Sequence, residues 1–224
     1  MKPVLTMLTE PKANISNRFD FWVDFINEAG ISVVAELGVW KGEFAESLLQ
    51  KCASIERYIM VDPWANLPNW NKPFNVEAEM FEQIYAEAMA RVDFAKSKLT
   101  VLRGCTNEVA DQVDDGSLEF VYIDGDHTLR GITLDLINIF SKVQEGGIIA
   151  GDDFTVTPWQ HSVEFEPTLV CPFAVYFAEA MGVPFIALGN NQFAIVKDHE
   201  AGFSFNDVTG HYGDLSLNKL AKKV

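Results

Sequence analysis

The sequence predicts an α/β fold, a doubly wound and mostly parallel sheet closed by a C-terminal antiparallel hairpin. Three observations carry this. Short apolar runs alternate with segments of helical period, as chains of βαβ units do. The first such run, Val33-Val34-Ala35, passes through a loop holding Gly38 and Gly42 into a helix, which is how these sheets aim backbone amides and a helix N-terminus at a ligand. Near the C-terminus, PFIALGNNQFAIVK (184–197) reads as two strands about Gly189-Asn190-Asn191, a tight hairpin. A dinucleotide-binding domain would finish with parallel strands instead. At 224 residues the chain suffices for one such unit. Its expected parts are an arm and helix over 1–30, the sheet domain over 31–198 and a tail over 199–224.

Residues 1–17 are polar and broken by Pro3 and Pro11, and read as an arm or a lid strand. Phe19, Trp22, Val23 and Ile26 then recur at helical spacing and stop at Gly30. After the strand that ends at Glu36, Phe44, Leu48, Leu49 and Cys52 share one side of the next helix. Arg57 to Val61 forms the second strand, ending at Asp62 before Pro63 and Trp64. The stretch 66–75 is loop-like and could border an acceptor. Residues 77–95 make a helix with Met80, Phe81, Ile84, Tyr85, Ala88 and Met89 on one stripe. A third strand, 99–102, runs out through Arg103, Gly104, Cys105 and Thr106 into a short helix.

FVYIDGDH (120–127) and GGIIAGDDF (146–154) are strands that release acidic residues at their C-terminal ends. The helix between them carries Leu129, Ile132, Leu136, Ile139, Phe140 and Val143. A β-α-β unit makes its strands parallel and adjacent, so Asp124 and Asp152 emerge side by side on the ligand-binding edge. Residues 155–167 have no period and would shape an acceptor pocket, with Trp159 and His161 as contacts. A helix over 172–181 precedes the hairpin, and the segment from Asp198 onward has no assignment.

Composition narrows the partners. Seventeen Lys and Arg face 32 Asp and Glu, a net charge of −15, which disfavours nucleic acid as a partner, since phosphate binding needs a basic stripe. Three widely spaced cysteines (Cys52, Cys105, Cys171) form neither a disulfide framework nor a zinc pattern, and a reducing cytoplasm is expected. Pro3 and Glu10 interrupt any apolar leader, and no run reaches the length of a membrane span, so no membrane partner is expected. Association into a homo-oligomer is left open.

The glycine loop argues against the commonest occupant of such sheets. In a G-x-G-x-x-G fingerprint the second glycine lets the backbone approach a pyrophosphate. Here Trp40 holds that place, and Glu36 would repel a phosphate. A ligand with a cationic centre and an adenosine, but no phosphate, fits better; S-adenosylmethionine is such a molecule. Accordingly E-x-G-x-x-x-G at 36–42 resembles the first motif of the class I S-adenosylmethionine-dependent methyltransferases, which have a Rossmann-like sheet. Candidate cofactor residues are then Glu36, Gly38 and Gly42, Asp62 for the ribose hydroxyls, Trp64 over the adenine, Gly104 and Thr106 on the loop beside it, and Asp124.

Asp124, Asp152 and Asp153 would repel one another without a cation between them, and Mg²⁺ is the expected one. I-D-G-D-H, a helix, then G-G-I-I-A-G-D-D-F is similar to the metal-dependent O-methyltransferases, most of all the macrocin type that modifies sugar hydroxyls in natural products. The resemblance implies Asp124, Asp152 and Asp153 as metal ligands and Asp126 or His127 as general base. Catechol-type relatives have a lysine matching His127 and an asparagine matching Asp153, departures that favour the macrocin-type group. The expected activity is methylation of a hydroxyl on a small-molecule acceptor, such as a sugar or natural product. The rivals are an NAD(P)-dependent oxidoreductase, a non-catalytic cofactor-binding module and, more narrowly, a methyltransferase that uses no metal.

Overall fold

The computed structural model describes residues 3–10 and 17–213. Its sheet grows outward from β1 (Val33–Leu37). On one side lie β2 (Arg57–Asp62) and β3 (Leu99–Arg103); on the other lie β4 (Leu118–Ile123) and β5 (Val143–Gly151), all parallel. Then β7 (Phe193–Val196) runs antiparallel to both β5 and β6 (Phe185–Ala187), and β8 (Phe205–Asp207) adds a parallel edge, giving the order β3-β2-β1-β4-β5-β7-β6-β8. The expected fold is thus present, with the hairpin inserted so that its second strand meets β5.

Parallel strands are covered on both faces, so their runs are apolar throughout. Along β4, Phe120 and Tyr122 enter one core layer while Val121 and Ile123 enter the other. The first layer is roofed by α2 (Arg18–Ala29), α3 (Glu43–Lys51) and α4 (Ala78–Val92). The second is roofed by α5 (Thr106–Val109), α6 (Leu129–Phe140) and α7 (Val170–Met181). Local chemistry sets the helix ends. Asn17 accepts from the amide of Asp20 at the start of α2, and Gly30 ends it in the left-handed region; Thr128 caps α6 through Gly131. At the hairpin, Asn190 and Asn191 both take positive φ, the geometry that matches the twist of the strands.

Four expectations change. The N-terminal arm is a short helix, α1 (Val4–Thr9), whose Met7 and Leu8 are buried in the first layer, not a lid strand. Burying two large apolar side chains outweighs the cost of ordering so short a helix. Residues 11–16 of that arm lie outside the described residues. Met80 and Leu129, placed on apolar stripes from spacing, point to solvent. The segment after Asp198 is partly structural: β8 extends the sheet, and the buried Tyr212 donates its hydroxyl to the carbonyl of Phe154. Residues 214–224 of the expected tail fall outside the described residues. Among the described residues no helix is long and apolar enough to cross a membrane.

Candidate active site

All five parallel strands end on one edge, and a cavity of about 450 Å³ opens there. Strand order arranges its lining: Gly104 and Thr106 beyond β3, Asp62 at β2, Glu36 and Gly38 at β1, Asp124 at β4, Asp152 and Asp153 at β5. The volume and the mainly apolar walls suit a small-molecule site.

At the β1–β2 end the glycine loop is held by Asp62. One carboxylate oxygen accepts from the amides of Val39 and Trp40, both at 2.9 Å, and the other from the amide of Trp64 at 2.7 Å. Trp40 and Trp64 both sit at positive φ, a costly backbone for a bulky residue, and the Trp64 indole donates to the Trp40 carbonyl. A charged acceptor bonding three amides holds them there. Burial raises the Asp62 pKa, opposed by those same amide bonds. Gly38 has φ 85°, and a Cβ there would lie 2.2 Å from the Asp124 carbonyl; only glycine lets β1 and β4 close on each other. Glu36 is buried, and its pKa is pushed well up by desolvation, although the Tyr58 hydroxyl donates to it at 2.6 Å.

Two expected cofactor residues do not line the cavity. Gly42 caps α3 in the left-handed region, and Trp64 is buried against Tyr85. Thr106 does line it, but its hydroxyl is given to Asp135 of α6 at 2.6 Å. Asp135 went unrecognised in the sequence because it reads as a polar position on an amphipathic helix. Desolvation, with Asp126 adding to it and Thr106 opposing, lifts its pKa from 3.8 to about 7. A carboxyl with a raised folded pKa binds more protons folded than unfolded, so its contribution to stability declines as pH rises from 3.8 to about 7. Asp135→Asn keeps an acceptor for Thr106 and removes that ionisation. It is expected to gain on the wild type by up to ~4 kcal/mol across that window, at 1.36 kcal/mol per unit. Chemical denaturation at several pH values reads it; a constant difference between the two chains would refute it.

At the β4–β5 end the acids divide. The Nδ1 of His127 contacts Asp153, and its Nε2 faces Asp124 at 3.5 Å, buried and without a hydrogen-bond partner. Burial alone would lower the His127 pKa, but Asp124 and Asp153 carry it up to about 10. Burial would raise Asp153, and the imidazole holds it down at about 2. Asp153 reaches this position through a positive φ of 59°, and Gln160 donates to it. Asp152 turns elsewhere: one oxygen takes Arg18 and the other takes the amide of Gln192, whose own oxygen is bound by Trp22 and Tyr122. Asp126 accepts from the Trp70 indole, the Thr128 amide and the Thr128 hydroxyl. These three bonds fix its carboxylate as a support for the loop that carries Trp70.

Among the described residues, the groups whose ligand atoms all lie within 4.8 Å of one another are Asp124, His127 and Asp153. Two carboxylates and an imidazole nitrogen without a partner fit a divalent cation. This differs from the expected set of three aspartates by exchanging Asp152 for His127.

Two loops wall the cavity. Asn71 bonds Glu164 and Glu166, and the buried Lys72 donates to the Glu166 carbonyl, which ties 66–75 to 155–169. His161, expected as an acceptor contact, lines the cavity and packs against Phe74; Trp159 does not line it. No local period marks Lys72, Trp70 and Arg18, because they meet their partners only once distant segments have folded together.

A family described as a methyltransferase domain matches residues 35–154, more than half of the chain, from within β1 to Phe154. The chain belongs to that family. It is a class I, S-adenosylmethionine-dependent methyltransferase. No curated protein matches this methyltransferase in sequence. Solved structures share its fold. A candidate caffeoyl-CoA O-methyltransferase from Staphylococcus aureus superposes with a TM-score of 0.58 at 13% identity, covering 81% of this chain and 84% of that one. The S-adenosylhomocysteine-bound methyltransferase PaMTH1 of Podospora anserina gives 0.56 at 11% identity, covering 81% and 79%. The cofactor-bound protein Rv0187 from MTB gives 0.54 at 14% identity, covering 88% and 87%.

Proposed function

We propose that this methyltransferase transfers the methyl group to a hydroxyl of a small molecule, such as a sugar or natural product, with the help of a divalent cation, Mg²⁺ being the expected one. The observation that carries the reading is the partnerless Nε2 of His127, aligned by Asp153 on its other nitrogen and facing Asp124. The macrocin-type resemblance and the O-methyltransferase name of one structural relative agree with it. In this reading the donor spans the edge from β3 to β1. Its adenine lies by Gly104 and Thr106, its ribose by Asp62, and its sulfonium near Glu36, Gly38 and Asp124.

Asp124 and Asp153 are the carboxylates that would hold the cation. When bound, it lowers the pKa of a coordinated hydroxyl. In this reading the two carboxylates hold the cation and His127 does not ligate it, so its Nε2 is left to accept the hydroxyl proton while Asp153 keeps the ring oriented through Nδ1. Positive charge brought in with the donor opposes the imidazolium and favours the basic form. Lys72 and Trp70 hold the loops that exclude water, and Asp126 fixes Trp70.

Thermal unfolding with S-adenosylhomocysteine, with Mg²⁺ or with EDTA, tests the binding half. Ligand at ~100 times its dissociation constant adds about 2.7 kcal/mol to stability, and Mg²⁺ is expected to add a second upward shift. Turnover with an isotopically labelled donor over a panel of hydroxylated acceptors tests the chemistry. Undiminished turnover after exhaustive chelation would remove the cation from the reading, and a label found on nitrogen would remove the hydroxyl.

A further inference from the structure

Arg18, the first residue of α2, reaches across the ends of β4 and β5. Its Nη1 lies 3.0 Å from Oδ2 of Asp124 and contacts Oδ2 of Asp152. The guanidinium carbon also lies 5.3 Å from the centre of the Phe19 ring. One cationic nitrogen thus stands between two carboxylates of the metal set that the sequence implied. Asp152 cannot turn away freely, because its other oxygen is held by the buried Gln192. Asp124 is shared. One of its oxygens meets the arginine, while the other faces the imidazole of His127.

We propose that Arg18 is a built-in counter-cation that competes with a divalent metal for Asp124, so that metal binding loosens the guanidinium and loss of the guanidinium tightens metal binding. This rests on the metal-assisted reading above. The physical reason is charge. Carboxylates on adjacent strand ends repel, and a cation between them offsets that repulsion. A metal reaching Asp124 finds its charge already partly neutralised by Arg18, and must compete for it. Linkage makes the effect reciprocal: the factor by which Arg18 weakens the metal is the factor by which the metal weakens the hold of Arg18 on Asp124. The consequence is a site held together before its ligands arrive, with α2 coupled to metal occupancy.

The test is a titration of the purified full chain with Mn²⁺ alone, reading free Mn²⁺ by electron paramagnetic resonance. Arg18→Gln is expected to bind Mn²⁺ roughly 10-fold more tightly, the scale set by removing one charge-assisted hydrogen bond that competes for Asp124. Arg18→Lys, which keeps the charge but not the planar fork, is expected to fall between the two, and it carries the comparison should Arg18→Gln fail to fold. Equal or weaker Mn²⁺ binding by a folded Arg18→Gln overturns the competition and leaves the metal reading standing. Failure of both chains to bind Mn²⁺ overturns both.

Discussion

Gly38→Ala is expected to destabilise the protein by on the order of 2–4 kcal/mol, combining a side chain at positive φ with overpacking against backbone, and to abolish detectable S-adenosylhomocysteine binding. The added Cβ would stand 2.2 Å from the Asp124 carbonyl oxygen and 2.6 Å from the Cα of Gly125, neither of which is the flexible end of a side chain. Relief requires β1 and β4 to part at their C-terminal ends. One hydrogen bond crosses there, the Asp124 amide donating to the Leu37 carbonyl at 2.7 Å, while on the other side of β1 the Gly38 amide donates to the Val61 carbonyl of β2 at 2.9 Å. Both the glycine loop and the acid cluster are therefore displaced by one methyl group. Denaturant unfolding and calorimetric titration measure the two effects. A Gly38→Ala chain with wild-type stability and affinity would mean the loop does not seat the donor.

Asp124→Asn is expected to leave the fold intact and lower turnover by about 10³-fold, within the range for a positioned acid–base or metal-holding group. The amide is nearly isosteric, so packing is kept. What changes is charge: the neighbour of His127 Nε2 becomes neutral, and Arg18 keeps Asp152 as its carboxylate partner. Loss of one of the two carboxylates proposed to hold the cation weakens it, and His127 loses one of the two groups that raise its pKa. Turnover under saturating donor, with the unfolding midpoint as control, reads the result. A variant retaining more than a tenth of wild-type turnover would place the transfer elsewhere on the edge.

Several features were legible in the chain because each is written in neighbouring residues. The apolar runs with acids at their ends specified β1, β2, β4 and β5, since a parallel strand covered on both faces admits little else. Gly38 was legible as a glycine a turn requires, although the carbonyl of Asp124 that excludes a side chain there comes from a strand far along the chain. Asp62 was legible as the acid ending β2, but its hold on Val39, Trp40 and Trp64 was not. The hairpin about Gly189 to Asn191 announced itself through residues that tolerate positive φ.

The tertiary structure alone decided how the acids are shared. Sequence put Asp124, Asp152 and Asp153 together as equals, because the β-α-β rule places strand ends and says nothing of rotamers. Folding brought Arg18 from α2 and Gln192 from β7's lead-in to Asp152, brought His127 between Asp124 and Asp153, and gave Asp126 to Trp70 and Thr128. Arg18, Gln192 and Trp70 are distant in sequence from the acids they hold, and Asp153 is turned by a backbone angle that no period predicts. Local pattern determined which strands form and where their charged ends lie. The long-range competition of buried charges for a few donors decided which of those ends is left free for chemistry.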